Sequence, residues 1–197
     1  MPVAGAASAK RRDITQRKAE LLDHYIYRIA KNDKKALVEL YHATSAAVYG
    51  LALSILKNSH DAEDVLQECY ISIASASGSY RSQGKPMAWI MTITRNLCLM
   101  KFREYKKTST LPDEDWEKYL VRNNRVTLED RLVLTECMKR LSDIERQIVI
   151  LHVVAGLKHR EIAKAFGIPL PTVLSKHSRA LKKLKKLLME GERQNGE

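Results

Sequence analysis

Apolar residues recur along most of this chain at spacings of three and four, the period of a helix with one buried face. The first such stretch runs from about Arg17 to Lys31, with Leu21, Leu22, Tyr25, Ile26 and Ile29 on one side. Asp33 is placed to cap a second helix bearing Ala36, Leu37, Leu40 and Tyr41. After a break near Thr44 the pattern resumes with Val48, Leu51, Ala52, Ile55 and Leu56, and Asn58-Ser59-His60 is expected to end it. Asp61 then stands as the N-cap of a third helix with Val65, Leu66, Cys69, Tyr70 and Ile73 facing inward. Residues 75 to 86, rich in serine and glycine, read as a loop. Pro86 suits the first position of a helix reaching about Lys107. That helix is apolar on two sides: Trp89, Ile90, Ile93, Leu97 and Met100 on one, and Met91, Cys98 and Phe102 on another. It is predicted to be the centre of a domain over residues 17–107, with Trp89 in the core.

The periodicity lapses over residues 108–126, which read as a flexible linker. Thr127-Leu128-Glu129-Asp130 and Ser142-Asp143-Ile144-Glu145 are both capping-box patterns. The first opens a helix with Leu128, Leu132, Leu134, Cys137, Met138 and Leu141; the second, one with Ile144, Ile148, Leu151 and Val154 that stops at Gly156. A short helix around Arg160-Glu161-Ile162-Ala163, a turn at Gly167 and a long basic helix from about Pro171 make a helix-turn-helix. With only 8 Gly and 2 Phe, a β-rich fold is disfavoured. The expected fold is all-α: a helical bundle over 17–107 and a helix-turn-helix domain over 127–190, joined by the linker. Residues 1–16 read as a disordered basic arm and 191–197 as a tail.

The formal net charge of +11 points to a polyanionic partner, most simply nucleic acid. On a helical wheel the last helix separates into two faces. Val173, His177, Ala180, Leu184 and Leu188 form a core side, flanked by Leu174, Leu181 and Leu187. Opposite lie Ser175, Ser178, Arg179, Lys182, Lys183 and Lys186, with Lys176 at the border. Such a face suits a major groove: Arg179 for a guanine edge, Ser175 for a base or phosphate, the lysines for phosphates. Pro171 and Thr172 are expected to offer free backbone amides to a phosphate. Arg160 and Lys158 would clamp the DNA backbone from the supporting helix. In the loop, Tyr80, Arg81 and Lys85 suit stacking and phosphate pairing with single-stranded nucleic acid. Arg95, Asn96 and Arg103 lie on the free strip of the following helix. Against this positive surplus, Asp61, Glu63, Asp64, Gln67 and Glu68 form an acidic face. Spacing leaves two readings of it open: compensation of the helix dipole, or a docking surface for a basic partner.

Cys69, Cys98 and Cys137 are odd in number and widely spaced, which argues against a disulfide framework or a zinc site, and each sits in an apolar context. The 6 histidines show no metal-ligand spacing, so no metal and no cofactor are expected. His177, on the core side of its helix, is expected to be half-buried and hydrogen-bonded. No apolar run suggests a signal peptide or membrane insertion, and a cytoplasmic location is expected. No cluster suggests an active site, so a non-enzymatic protein is expected.

Two stretches resemble a known family. Asp61-Ala62-Glu63-Asp64-Val65-Leu66-Gln67-Glu68, with Pro86-Met87-Ala88-Trp89-Ile90 and Arg95-Asn96-Leu97, resembles conserved region two of bacterial sigma-70 family sigma factors. Leu141 to Leu188, with Glu161-Ile162-Ala163, Gly167-Ile168-Pro169 and Thr172-Val173, resembles conserved region four. Their order across a short linker is similar to the small extracytoplasmic-function (ECF) group. The resemblance implies a sigma factor that binds core RNA polymerase and directs promoter recognition and DNA melting. The acidic helix would dock on the β′ clamp helices. Residues 75–85 and the next helix would read the minus-ten element as single strand. The helix-turn-helix would read the minus-thirty-five element near the β flap. An anti-sigma factor is the expected regulator. Ile73-Ala74-Ser75, Leu174 and His177 depart from the family's common residues, so different contacts are expected there. A free-standing helix-turn-helix regulator would need no docking face; a recombinase would need a catalytic serine or tyrosine among arginines.

Overall fold

The computed structural model describes residues 3–108 and 137–194, and every regular element among them is helical. Helix α1 spans Val3–Ile29, α2 Lys34–Leu56 and α3 Ser59–Ala76, followed by a 3₁₀ turn at Ser77–Ser79 and helix α4, Pro86–Thr108. Beyond residue 136 come α5 (Asp143–Val149), running on into a π-helical turn at Ile150–Val154, then α6 (His159–Phe166) and α7 (Leu170–Gln194). The expected linker at 108–126, the capping box at Thr127 and most of the helix it opens lie outside the described residues.

Several boundaries differ from expectation; α2 runs unbroken through Thr44, and α7 carries on to Gln194, into the expected tail. α1 begins at Val3, so most of the segment expected as a disordered arm is helical. Ala4, Ala6, Ala7 and Ala9 explain it, because alanine loses no side-chain entropy in a helix. α2 ends at Leu56, with Lys57 in the left-handed conformation at φ 59°. α3 is capped by Asn58, whose side chain accepts the Asp61 amide at 3.0 Å. Asp61 thus sits inside the first turn and is not the cap. The Asp33 cap is as expected: its carboxylate accepts from Lys35 and Ala36.

In the N-terminal half, α2 packs on both α3 and α4, with α1 laid against them. Leu22, Ile26, Leu40, Val48, Leu51, Leu53, Leu66, Cys69, Ile73, Ile90 and Met91 fill the core. Three hydroxyls inside it are satisfied: those of Thr44 and Tyr70 lie 2.7 Å apart, and Thr94 donates to the Ile90 carbonyl at 3.0 Å. Cys69, Cys98 and Cys137 are buried, and none of them forms a disulfide. Burial pushes the Cys69 thiol up to about 11, so it behaves as a small apolar residue.

In the C-terminal half, α7 packs across α5 and α6. Glu145 closes the expected capping box by accepting the Ser142 amide at 3.0 Å, and it also accepts from Lys183 of α7 at 2.7 Å. The buried Arg146 holds the preceding turn, donating to the carbonyls of Met138 at 2.9 Å and Leu141 at 3.2 Å. Gly167, at φ 65°, makes the left-handed turn between α6 and α7.

The two halves touch. α2 packs on α5 and the π turn, and α4 reaches α6. Ile148, Ile150, Leu151, Leu157 and Val173 join the same apolar cluster as the core of the first half. Lys57 pairs with Asp143 at 3.2 Å, Lys85 with Glu161 at 3.9 Å, and the Arg95 guanidinium sits 5.5 Å from the Phe166 ring.

Candidate nucleic-acid interface

The outer face of α7 is built as its sequence suggests. Ser175, Ser178, Arg179, Lys182 and Lys186 are exposed, Lys176 is half-buried at the margin, and Val173 and Ala180 are fully buried on the other side. The Arg179 side chain lies back along the helix, its Nη2 3.4 Å from Ser175 Oγ, while that hydroxyl donates to the Thr172 carbonyl at 3.0 Å. Both groups can extend outward without breaking a core contact. Arg160 is exposed on α6, where it lines a cleft with Tyr80, Arg81 and Lys85.

One member of the predicted face is committed elsewhere. Lys183 is bound to Glu145, which is 4% exposed, so its charge serves to hold α7 against α5. Burial works against the Glu145 charge, but the Lys183 ammonium and the Ser142 amide outweigh it and keep this carboxyl below its ordinary pKa. The helix N-terminus also offers less than expected. Proline has no N–H, and the Thr172 amide already donates to the Pro169 carbonyl at 3.0 Å. The wheel misplaces one strip: Leu174, Leu181 and Leu188, seven residues apart, are exposed, so the apolar face of α7 is wider than its core contact.

In the first half, the loop at residues 80–85 is tied down. Tyr80 donates to one Asp23 carboxylate oxygen at 2.6 Å and Ser82 to the other at 2.7 Å. The Tyr80 ring also rests against Trp89, centroids 4.6 Å apart. Burial, then the Asp23 charge, raises the Tyr80 pKa, so its hydroxyl stays a donor. Arg81 and Lys85 are exposed beside it, across a cleft from Arg160 and Lys164. Asn96 and Arg103 are exposed on α4, whereas Arg95 is half-buried against Phe166. Trp89 packs on the core with part of its ring accessible.

The acidic face of α3 divides. Glu63, Gln67 and Glu68 are free-facing, while Asp61 and Asp64 both bind Lys101 of α4, at 2.9 and 2.6 Å. Asp61 is 8% exposed, so it belongs to an ion pair between two helices and not to the surface. The hydrogen bond from Lys101 holds the Asp64 carboxyl below its ordinary pKa. Both carboxylates are thus tied to α4: Asp61 is withdrawn from the surface, while Asp64 keeps an exposed edge. Sequence spacing could not show it, since the pair spans 40 and 37 positions.

One cluster escaped the sequence reading. His152 on the π turn, His159 at the start of α6 and His177 on α7 stack together, with ring centroids 4.2 to 4.7 Å apart. His177 is half-buried and hydrogen-bonded as expected, but its partner is His159, at 3.0 Å. The three positions follow no linear motif because they come from three elements.

This arrangement, an acidic-faced helical bundle followed by a basic helix-turn-helix, defines a two-domain, DNA-reading transcription protein. Comparison with known proteins agrees with both halves. Residues 40–108 match Sigma-70 region 2 and residues 131–184 match Sigma-70 region 4. The ECF RNA polymerase sigma factor SigK of Mycobacterium tuberculosis (strain H37Rv) is 28% identical over 178 residues, covering 85% of this chain and 93% of the mycobacterial protein. SigK of Mycobacterium sp. (strain KMS) is 26% identical over the same length, covering 85% of this chain and 90% of its own. Among solved structures, the sigma factor RpoE bound to the anti-sigma factor NepR from Bartonella quintana superposes with a TM-score of 0.61 at 22% identity, covering 79% of this chain and 98% of that one. CnrH in complex with the cytosolic domain of CnrY gives 0.57 at 19% identity, covering 86% and 98%. The chain belongs to the sigma-70 family of RNA polymerase sigma factors, in its ECF group.

Proposed function

We propose that this chain recruits core RNA polymerase through the free acidic strip of α3 and carries two DNA readers to a promoter. Glu63, Gln67 and Glu68, with the outward edge of Asp64, face the β′ clamp helices, and Asp61 supports them from beneath through Lys101. Tyr80, Arg81 and Lys85, with Asn96 and Arg103, take the minus-ten element as single strand; Arg95 joins them once it leaves Phe166. Ser175, Lys176, Arg179 and Lys182, with Arg160 behind them, read the minus-thirty-five duplex near the β flap. The protein works by binding alone, in the cytoplasm, and an anti-sigma factor keeps it silent. RpoE, which shares its fold, is seen bound to the anti-sigma factor NepR, and CnrH, which shares it too, is seen in complex with the cytosolic domain of CnrY.

The observation that carries this reading is the pairing, in one chain, of an exposed acidic strip on α3 with an exposed basic face on α7. A free-standing regulator has no use for the first. The test is the double variant Glu63→Lys, Glu68→Lys. It should lose co-elution with core polymerase and run-off transcription, while still binding duplex DNA through α7. Undiminished co-elution would rule out α3 as the docking surface.

A further inference from the structure

We infer that His152, His159 and His177 form a binding site for a divalent transition metal, zinc or a close congener, built into the DNA-reading domain. Three of the chain's 6 histidines meet here, each offering a ring nitrogen, and those atoms all lie within 4.8 Å of one another. The closest pair, His159 Nε2 and His177 Nδ1, is 3.0 Å apart. Two imidazole nitrogens on tetrahedral zinc, each at about 2.0–2.1 Å from the ion, are about 3.3 Å apart. The pair therefore already stands near a ligand edge, and His152 needs a modest swing to complete the set.

The hydrogen bonds fit the same reading. His152 Nδ1 lies 2.8 Å from the Leu157 carbonyl, which can only accept, so the proton sits on Nδ1 and the Nε2 lone pair is left for a metal. Metal-bound histidines characteristically hold their second nitrogen this way. His177 Nε2 is buried with no hydrogen-bond partner. The hydrogen bonds within the cluster therefore do not satisfy all of its ring nitrogens. Three neutral imidazoles suit Zn²⁺, Co²⁺, Ni²⁺ or Cu²⁺ and not the oxygen-seeking Mg²⁺ or Ca²⁺. A water would complete the tetrahedron.

Its position gives the site a consequence. The three ligands come from the turn after α5, the first residue of α6 and the second turn of α7. A bound ion would staple the supporting helix to the reading helix, two positions before Arg179. It would stabilise the reader without touching DNA.

The test uses the full-length chain, stripped with chelator, in the absence of DNA and polymerase, so its result is independent of the promoter reading. Zn²⁺ should bind at one per chain, and Co²⁺ should give the visible d–d bands of a tetrahedral nitrogen site. Imidazole ¹⁵N shifts should move for these three histidines alone. His152→Ala and His177→Gln should each weaken binding at least about tenfold, a loss of the size that disturbing a metal's ligand shell brings. The triple variant His24→Gln, His42→Gln, His60→Gln should bind as the parent does. Zn²⁺ should also raise the melting temperature of the parent and not that of His152→Ala. Zinc retained by both cluster variants, or lost from the triple variant, would overturn the assignment. So would ¹⁵N shifts unmoved at His152, His159 and His177, a reading on the parent that does not depend on how any variant folds.

Discussion

At the scale of single residues, position on the surface separates groups free to meet DNA from groups that hold the fold. Arg179 and Lys183 are four positions apart on one helix, and both are cations. Arg179 hydrogen-bonds to Ser175 of its own helix, whereas Lys183 is bound to Glu145 of α5. Arg179→Ala should therefore cost about 1–3 kcal/mol at one base pair of the cognate duplex and relax preference there. Band shifts on a set of single-base variants measure it; an equal loss on every sequence would make Arg179 a phosphate contact instead. Asp61 and Glu63 divide in the same way. They are two positions apart, yet one is buried on Lys101 and the other faces out.

At the scale of elements, the reader depends on how α7 is fastened. Core contact through Val173 and Ala180 supplies the non-directional part. The Glu145–Lys183 pair supplies a fixed point at the N-terminus of α5. Because the Glu145 pKa is depressed in the folded chain, the unfolded chain binds the proton first on acidification. Its contribution is complete above the unfolded value of about 4.3 and is lost as pH falls through the lower folded value. Glu145→Gln should thus be less stable at neutral pH, and its urea midpoint should fall less steeply than the parent's between about pH 5 and pH 3. Parallel pH curves for the two proteins would show that the pair contributes nothing.

At the scale of the whole molecule, the two halves form one apolar cluster. Elements named minus-ten and minus-thirty-five lie about 25 base pairs apart, or about 85 Å at 3.4 Å per pair. A compact chain of this length has a radius of gyration of only about 16 Å. The packed arrangement therefore cannot touch both elements, and promoter binding requires α5–α7 to leave α2 and α4. Dyes at His42→Cys and Lys185→Cys, with the three native cysteines buried, should transfer energy efficiently in the free protein and poorly in the promoter complex with polymerase. Unchanged transfer would mean that the halves act as one block.

Sequence alone determined the helical character, most element positions, the helix-turn-helix and the two family regions. These rest on local spacing, capping residues and short motifs, which a chain displays before it folds. The fold decided what spacing cannot express. Lys101 draws Asp61 out of the exposed acidic strip, Asp23 pins Tyr80, Phe166 holds Arg95, and three histidines from three elements meet. Each is a meeting of side chains far apart in the chain, set by how the helices cross, so no periodicity carries it. Helix α1 was misjudged for the opposite reason: its first half has strong propensity and no apolar period, so a reading based on periodicity missed it.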